Sequence, residues 1–111
     1  MGIKTIILIC GLLHIVLGIG RQIIGSDIAD GLDIASMMLV GSGLFLVVLS
    51  RVKDLVSGKL ILGAETVFLL WMLGIALVNI ALAGFPPPPV WAFIIINLLL
   101  CGYGLLRVER V

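Results

Sequence analysis

The sequence predicts an all-α integral membrane protein: four transmembrane helices in one antiparallel up-and-down bundle, with both termini on the cytoplasmic side. Three observations lead there. Hydrophobic residues make up 62% of the 111 residues and charged residues 12%, whereas soluble domains carry about 25% charged residues. Mean hydropathy is +1.38, and so little charge cannot coat a soluble globule of this size. The third observation is punctuation: uncharged runs of spanning length, which is about 20 residues, alternate with charges or helix breakers.

The first span covers residues 3–24. Its uncharged centre runs from Thr5 to Gly20 between Lys4 and Arg21. No small-x-small cleavage signal follows the run, so it reads as an uncleaved helix rather than a leader. The second span covers residues 31–50, after an acidic stretch holding Asp27, Asp30 and Asp33. The third covers residues 60–83, with Glu65 inside it, and the fourth covers residues 90–106, stopping at Arg107, Glu109 and Arg110. No charge interrupts the chain from Thr66 to Leu106. Pro86, Pro87, Pro88 and Pro89 divide that run, because proline lacks an N–H and clashes with the preceding turn. These prolines favour a short polyproline II spacer between Phe85 and Trp91. A membrane barrel would alternate apolar and polar residues, and runs such as Phe93-Ile94-Ile95-Ile96 do not.

Orientation follows from Lys and Arg, which concentrate in cytoplasmic loops. With the N-terminus inside, Lys4, Arg51, Lys53, Lys59, Arg107 and Arg110 all lie inside and only Arg21 lies outside. The expected location is a prokaryotic cytoplasmic membrane.

Lipid tails are as apolar as Leu, so small residues and interhelical hydrogen bonds join helices in a bilayer. The first helix has Gly11, His14, Gly18 and Arg21 at spacings of three and four. The second has Ser36, Gly43 and Ser50, seven apart. The third has Glu65, Met72, Ala76 and Asn79 on one face, and the fourth has Asn97, Cys101 and Gly104. Such stripes suit a left-handed bundle or a contact with another subunit.

Polar groups inside a membrane are costly and few here. The candidate intramembrane sites are His14, Arg21, Glu65, Asn79 and Asn97. His14, the only histidine, sits near mid-membrane, with Asn97 at similar depth as its natural partner. It reads as a neutral imidazole bonded inside the bundle, or as a residue handling protons or contacting a quinone or haem. Glu65 lies about one and a half turns inside the cytoplasmic end of its helix. There it pairs with Lys59, Arg107 or Lys4, or lies on a proton or cation path. Arg21 pairs with the outer aspartates or reaches the interface. The outer stretch lacks the spacing and closing Glu of a calcium loop, and Ser26 reads as a helix cap. Cys10 and Cys101 fall in the same half of the membrane and read as buried free thiols.

No nucleophile–base–acid set, phosphate loop or metal-ligand cluster is present, so no catalytic, metal or dedicated cofactor site is assigned. Net charge of +1 argues against nucleic acid. Expected partners are membrane lipids and either other membrane subunits or further copies of the chain. Two functional readings compete. The first is a small structural or accessory subunit of a larger respiratory, oxidising or ion-translocating membrane complex, with no chemistry of its own and so not an enzyme. The alternative is a small oligomeric proton- or cation-coupled transporter or channel using Glu65 and His14.

Overall fold

A computed structural model describes residues 1–24, 34–82, 84–85 and 88–111. Its regular elements are four helices, α1 (Ile3–Ile24), α2 (Ile34–Leu49), α3 (Leu55–Leu82) and α4 (Pro88–Leu106). Gly25, Ser26, the three outer aspartates, the first residues of the expected second span, Ala83, Pro86 and Pro87 lie outside the described residues. Three helices, α1, α3 and α4, are long and apolar enough to cross a membrane; α2 is an apolar helix of 16 residues.

Two helix starts differ from the sequence expectation. The third helix begins at Leu55 rather than near residue 60. Asp54 supplies the reason: its Oδ2 accepts the Ser57 backbone N–H at 2.9 Å and the Ser57 hydroxyl at 3.0 Å. This satisfies a first-turn donor that the helix itself leaves unpaired. The fourth helix begins at Pro88 rather than near residue 90. Pro88 and Pro89 therefore occupy first-turn positions, where a missing N–H costs nothing and the fixed φ suits the helix, so they are not part of a polyproline II segment. At the other end of α3, the Gly84 N–H returns to the Asn79 carbonyl at 2.9 Å with φ at +102°, a conformation that glycine adopts without strain.

The Ser57 N–H and hydroxyl hold the Asp54 carboxyl below its usual range. Its capping contribution is therefore present above the unfolded-state value and is lost as pH falls through the folded one. Asp54→Ala is expected to lower the thermal midpoint at neutral pH and to leave it unchanged in acid, where the carboxyl is protonated. A pH series of melts in detergent, read by circular dichroism, checks this.

Consecutive helices run in opposite directions. Gly18 lies against Ser36 and Val40, and Gly11 against Gly43 and Leu46, so α1 and α2 are antiparallel. Gly104 of α4 lies against Leu62 of α3 and Ile6 of α1, and Gly58 at the start of α3 lies against Ile3. The Ile3 and Lys4 N–H groups donate to the Arg110 and Val111 carbonyls at 3.0 and 3.3 Å. The C-terminal tail thus caps the first turn of α1, and both termini sit at one end of the molecule. Lys4, Arg51, Lys53, Lys59, Arg107 and Arg110 gather there, while Arg21 sits in the last turn of α1 at the far end.

The helices do not close into a square. The principal packing partners are α1 with each of the other three helices, and α3 with α4. The extents of 44 × 29 × 17 Å describe a flattened bundle. The buried small residues of α2, Ser36 and Gly43, face α1. The α3 flank nearest α2 carries Leu60, Ala64 and Phe68, and a groove of 340 Å³ separates the two helices there.

Candidate functional site

The polar centre lies where α1, α3 and α4 meet. His14 of α1 is 0% exposed and Glu65 of α3 is 6% exposed, and His14 Nε2 stands 3.0 Å from Glu65 Oε1. His14 Nδ1 lies 2.7 Å from the Cys10 carbonyl oxygen, one turn back on α1. A carbonyl can only accept, so Nδ1 carries a proton and donates it. Among the described residues, neither Nε2 nor Oε1 has another hydrogen-bond partner. Two bare acceptors 3.0 Å apart would repel, so one further proton belongs between them. The pair is neutral overall wherever that proton rests, as imidazolium with carboxylate or as imidazole with carboxylic acid. That neutrality makes its burial tolerable, because an isolated ion in apolar surroundings is far more costly.

Aromatic rings enclose the imidazole. Phe68 of α3 stacks on it with centroids 5.8 Å apart, and Phe93 of α4 meets it edge-on at 4.8 Å. One turn toward the termini, the Cys10 and Cys101 thiols lie against each other, with the Thr66 hydroxyl beside Cys101. Thr66 donates to the Leu62 carbonyl at 2.8 Å. Both cysteines are buried and free.

Several sequence-derived candidates are placed differently from expectation. Asn97 is buried near the centre, but its Nδ2 donates to the Phe93 carbonyl of its own helix at 2.8 Å and its Oδ1 has no partner. The partner of His14 is Glu65. Among the described residues, Glu65 accordingly pairs with His14, not with Lys59, Arg107 or Lys4. The earlier start of α3 explains the shift: Glu65 lies ten residues into the helix, about 15 Å along its axis, and so reaches the depth of His14. Arg21 and Asn79 are exposed, in the last turns of α1 and α3, away from this centre. The packing residues Gly11, Gly18, Ser36, Gly43 and Gly104 are all buried. Phe68 carries no signal of its own in the sequence, and Phe93, which by sequence suits the outer membrane interface, is instead buried against the imidazole. Helical spacing places both at the site, since Phe68 follows Glu65 by three residues and Phe93 precedes Asn97 by four.

Among the described residues, no group of three or more His, Cys, Asp or Glu side chains could hold a metal ion. Both ring nitrogens of His14 are engaged, one by a carbonyl and one by a carboxyl oxygen, which leaves no free lone pair for an axial haem bond in this arrangement. What the centre can do chemically is hold one proton between two bases inside an apolar bundle. The chain matches no family model, no curated protein and no solved structure.

Proposed function

We propose that this chain is a small proton-coupled membrane transporter whose proton-binding centre is the His14–Glu65 pair. The carrying observation is the shared-proton geometry at mid-bundle: 3.0 Å between two otherwise unpartnered titratable atoms, at 0% and 6% exposure. Ionisable residues within a membrane face bundle interiors and mark proton and ion pathways. In this reading all four helices cross the bilayer and both termini are cytoplasmic. The support is the gathering of six of the seven Lys and Arg residues at the end where the termini meet.

The accessory-subunit reading keeps the same pair as a neutral clamp between α1 and α3. The complete burial of the imidazole favours it. Purified chain in liposomes under an imposed pH gradient separates the two. A transporter gives proton flux that Glu65→Gln abolishes while the folded state persists, because Gln keeps the shape and removes the titrating group. Absence of flux with a hydrophobic monocation supplied in the opposite compartment, together with larger membrane proteins co-purifying in mild detergent, overturns the proposal.

A further inference from the structure

The groove between α2 and α3 has Glu65 in its lining. Phe45 and Leu46 of α2 and Leu60 and Phe68 of α3 give it apolar walls, and its polar side chains are Ser42 and Glu65. Ser42 is internally satisfied, donating to the Leu39 carbonyl at 3.0 Å. Glu65 is thus the one ionisable group in the lining. Phe45 is 66% exposed and Phe68 38% exposed, and Phe68, which lines the groove, also stacks on His14. A volume of 340 Å³ falls at the small end of ligand sites.

We propose that this groove binds a lipophilic monocation, an ammonium centre on an aromatic or alkyl body, in exchange for the proton shared by His14 and Glu65. The inference rests on the proton-site reading above and names its substrate class. Charge complementarity decides the occupant. The groove offers one carboxylate in apolar walls, which fits one positive charge on a hydrophobic body. Aromatic faces such as those of Phe45 and Phe68 attract quaternary ammonium groups within about 6 Å of the ring centroid. The other titratable groups around the carboxylate are His14 and Cys10 of α1 and Cys101 of α4. Lys59 stands six residues earlier on α3, about 9 Å along the axis. His14 is therefore the competing cation at the site itself.

The exchange balances. The free pair is neutral and holds one shared proton. When the monocation pairs with ionised Glu65, His14 keeps its Nδ1 proton and becomes neutral, and the shared proton leaves to solvent. One positive charge enters and one departs, with no covalent bond made beyond the proton transfer. Binding therefore tightens by about tenfold per pH unit wherever the free pair retains its proton.

The probe is benzyltrimethylammonium, which carries a permanent charge and no proton of its own, titrated calorimetrically into the full chain in non-ionic detergent. Titrations in two buffers of different ionisation heat count the protons. Expected are saturable binding, release of one proton per cation, and an affinity that rises with pH wherever that proton is released. Glu65→Gln is expected to abolish binding, and Ala64→Phe, which fills the groove beside the carboxylate, to weaken it by more than tenfold. Neopentylbenzene, the uncharged carbon analogue, is expected not to bind saturably. Binding without proton release, or binding that survives Glu65→Gln, overturns the exchange. The ¹⁵N shifts of His14 are followed against pH in the same samples. If His14 titrates with Glu65 but no cation binds, the groove proposal falls and the proton-site reading stands. If Glu65→Gln leaves the His14 shifts unchanged, the proton-site reading falls with it.

Discussion

Gly43→Leu is expected to pry α2 from α1 and to cost the chain most of its folded yield. A β-carbon on Gly43 falls 2.6 Å from the Gly11 carbonyl oxygen, 2.7 Å from Ile15 Cγ1 and 2.9 Å from His14 Cβ. The relation is reciprocal, since a β-carbon on Gly11 falls 2.8 Å from the Gly43 carbonyl oxygen. Two backbones touch at this crossing, and a backbone cannot turn aside as a side chain can. Overpacking against side chains costs about 1–3 kcal/mol; against helix backbone the cost exceeds that range, because relief requires the helices to separate. Nothing else holds α2 as closely, since its principal packing partner is α1. The control is Gly41→Leu on the same helix, where a β-carbon meets nothing within 4 Å. Thermal melts and monodisperse yield in mild detergent compare the two. Equal tolerance of both substitutions would remove close glycine packing from the account.

Breaking the His14–Glu65 pair from either side is expected to destabilise the bundle by about 1–3 kcal/mol, the usual cost of stranding a buried polar group. Average interhelical hydrogen bonds in membranes contribute only about 0.6 kcal/mol. The larger figure applies here because each partner is buried with no alternative partner for the facing atom. In Glu65→Leu, His14 keeps its bond to the Cys10 carbonyl and strands only Nε2. In His14→Leu, the carboxyl is left facing apolar side chains in place of the imidazole. The double variant strands neither group, so the two single effects are expected not to add. A double-mutant cycle on unfolding in mixed micelles should return a coupling of about 0.5–3 kcal/mol. Strict additivity would mean that the 3.0 Å approach contributes nothing to stability.

Much of this architecture is legible in the linear chain because hydropathy and charge act locally. Both ends of α1 and the C-terminal end of α4 follow from where apolar runs meet charge, and the glycine and serine stripes mark the buried faces of α1 and α2. The start of α3 was harder to read. Lys59 resembles a boundary, whereas the structural boundary is the Asp54–Ser57 cap, two polar residues around Leu55 and Val56 that also suit a loop. Five residues of error move a side chain about 7 Å along an axis. That displacement separated Glu65 from His14 on paper and placed it among lysines and arginines. The choice between Asn97 and Glu65 as the imidazole's partner was not readable at all. Both lie on buried stripes, and the outcome depends on Asn97 turning back to its own Phe93 carbonyl, a rotamer decision that spacing does not encode. The open side between α2 and α3 was equally hidden, because a face presented to lipid and a face presented to a groove carry the same residues.

The bond from His14 to the Cys10 carbonyl has a consequence for how the protein is made. Residues emerge from the ribosome in order, so α1 reaches the bilayer before α3 has been synthesised. At that stage His14 has no carboxylate to meet. An ionised side chain at the centre of an inserting helix costs about 3 kcal/mol, but His14 can enter as a neutral ring whose one N–H is already satisfied within its own helix. The first helix thus carries its own stopgap and waits with a single bare acceptor. Among the described residues, the α3 carboxyl pairs with His14 rather than within its own helix, and it arrives to find the acceptor in place. In the transporter reading, α1 enters with its one ring N–H already bonded within its own helix, whereas the α3 carboxyl meets His14 only when α3 packs on α1.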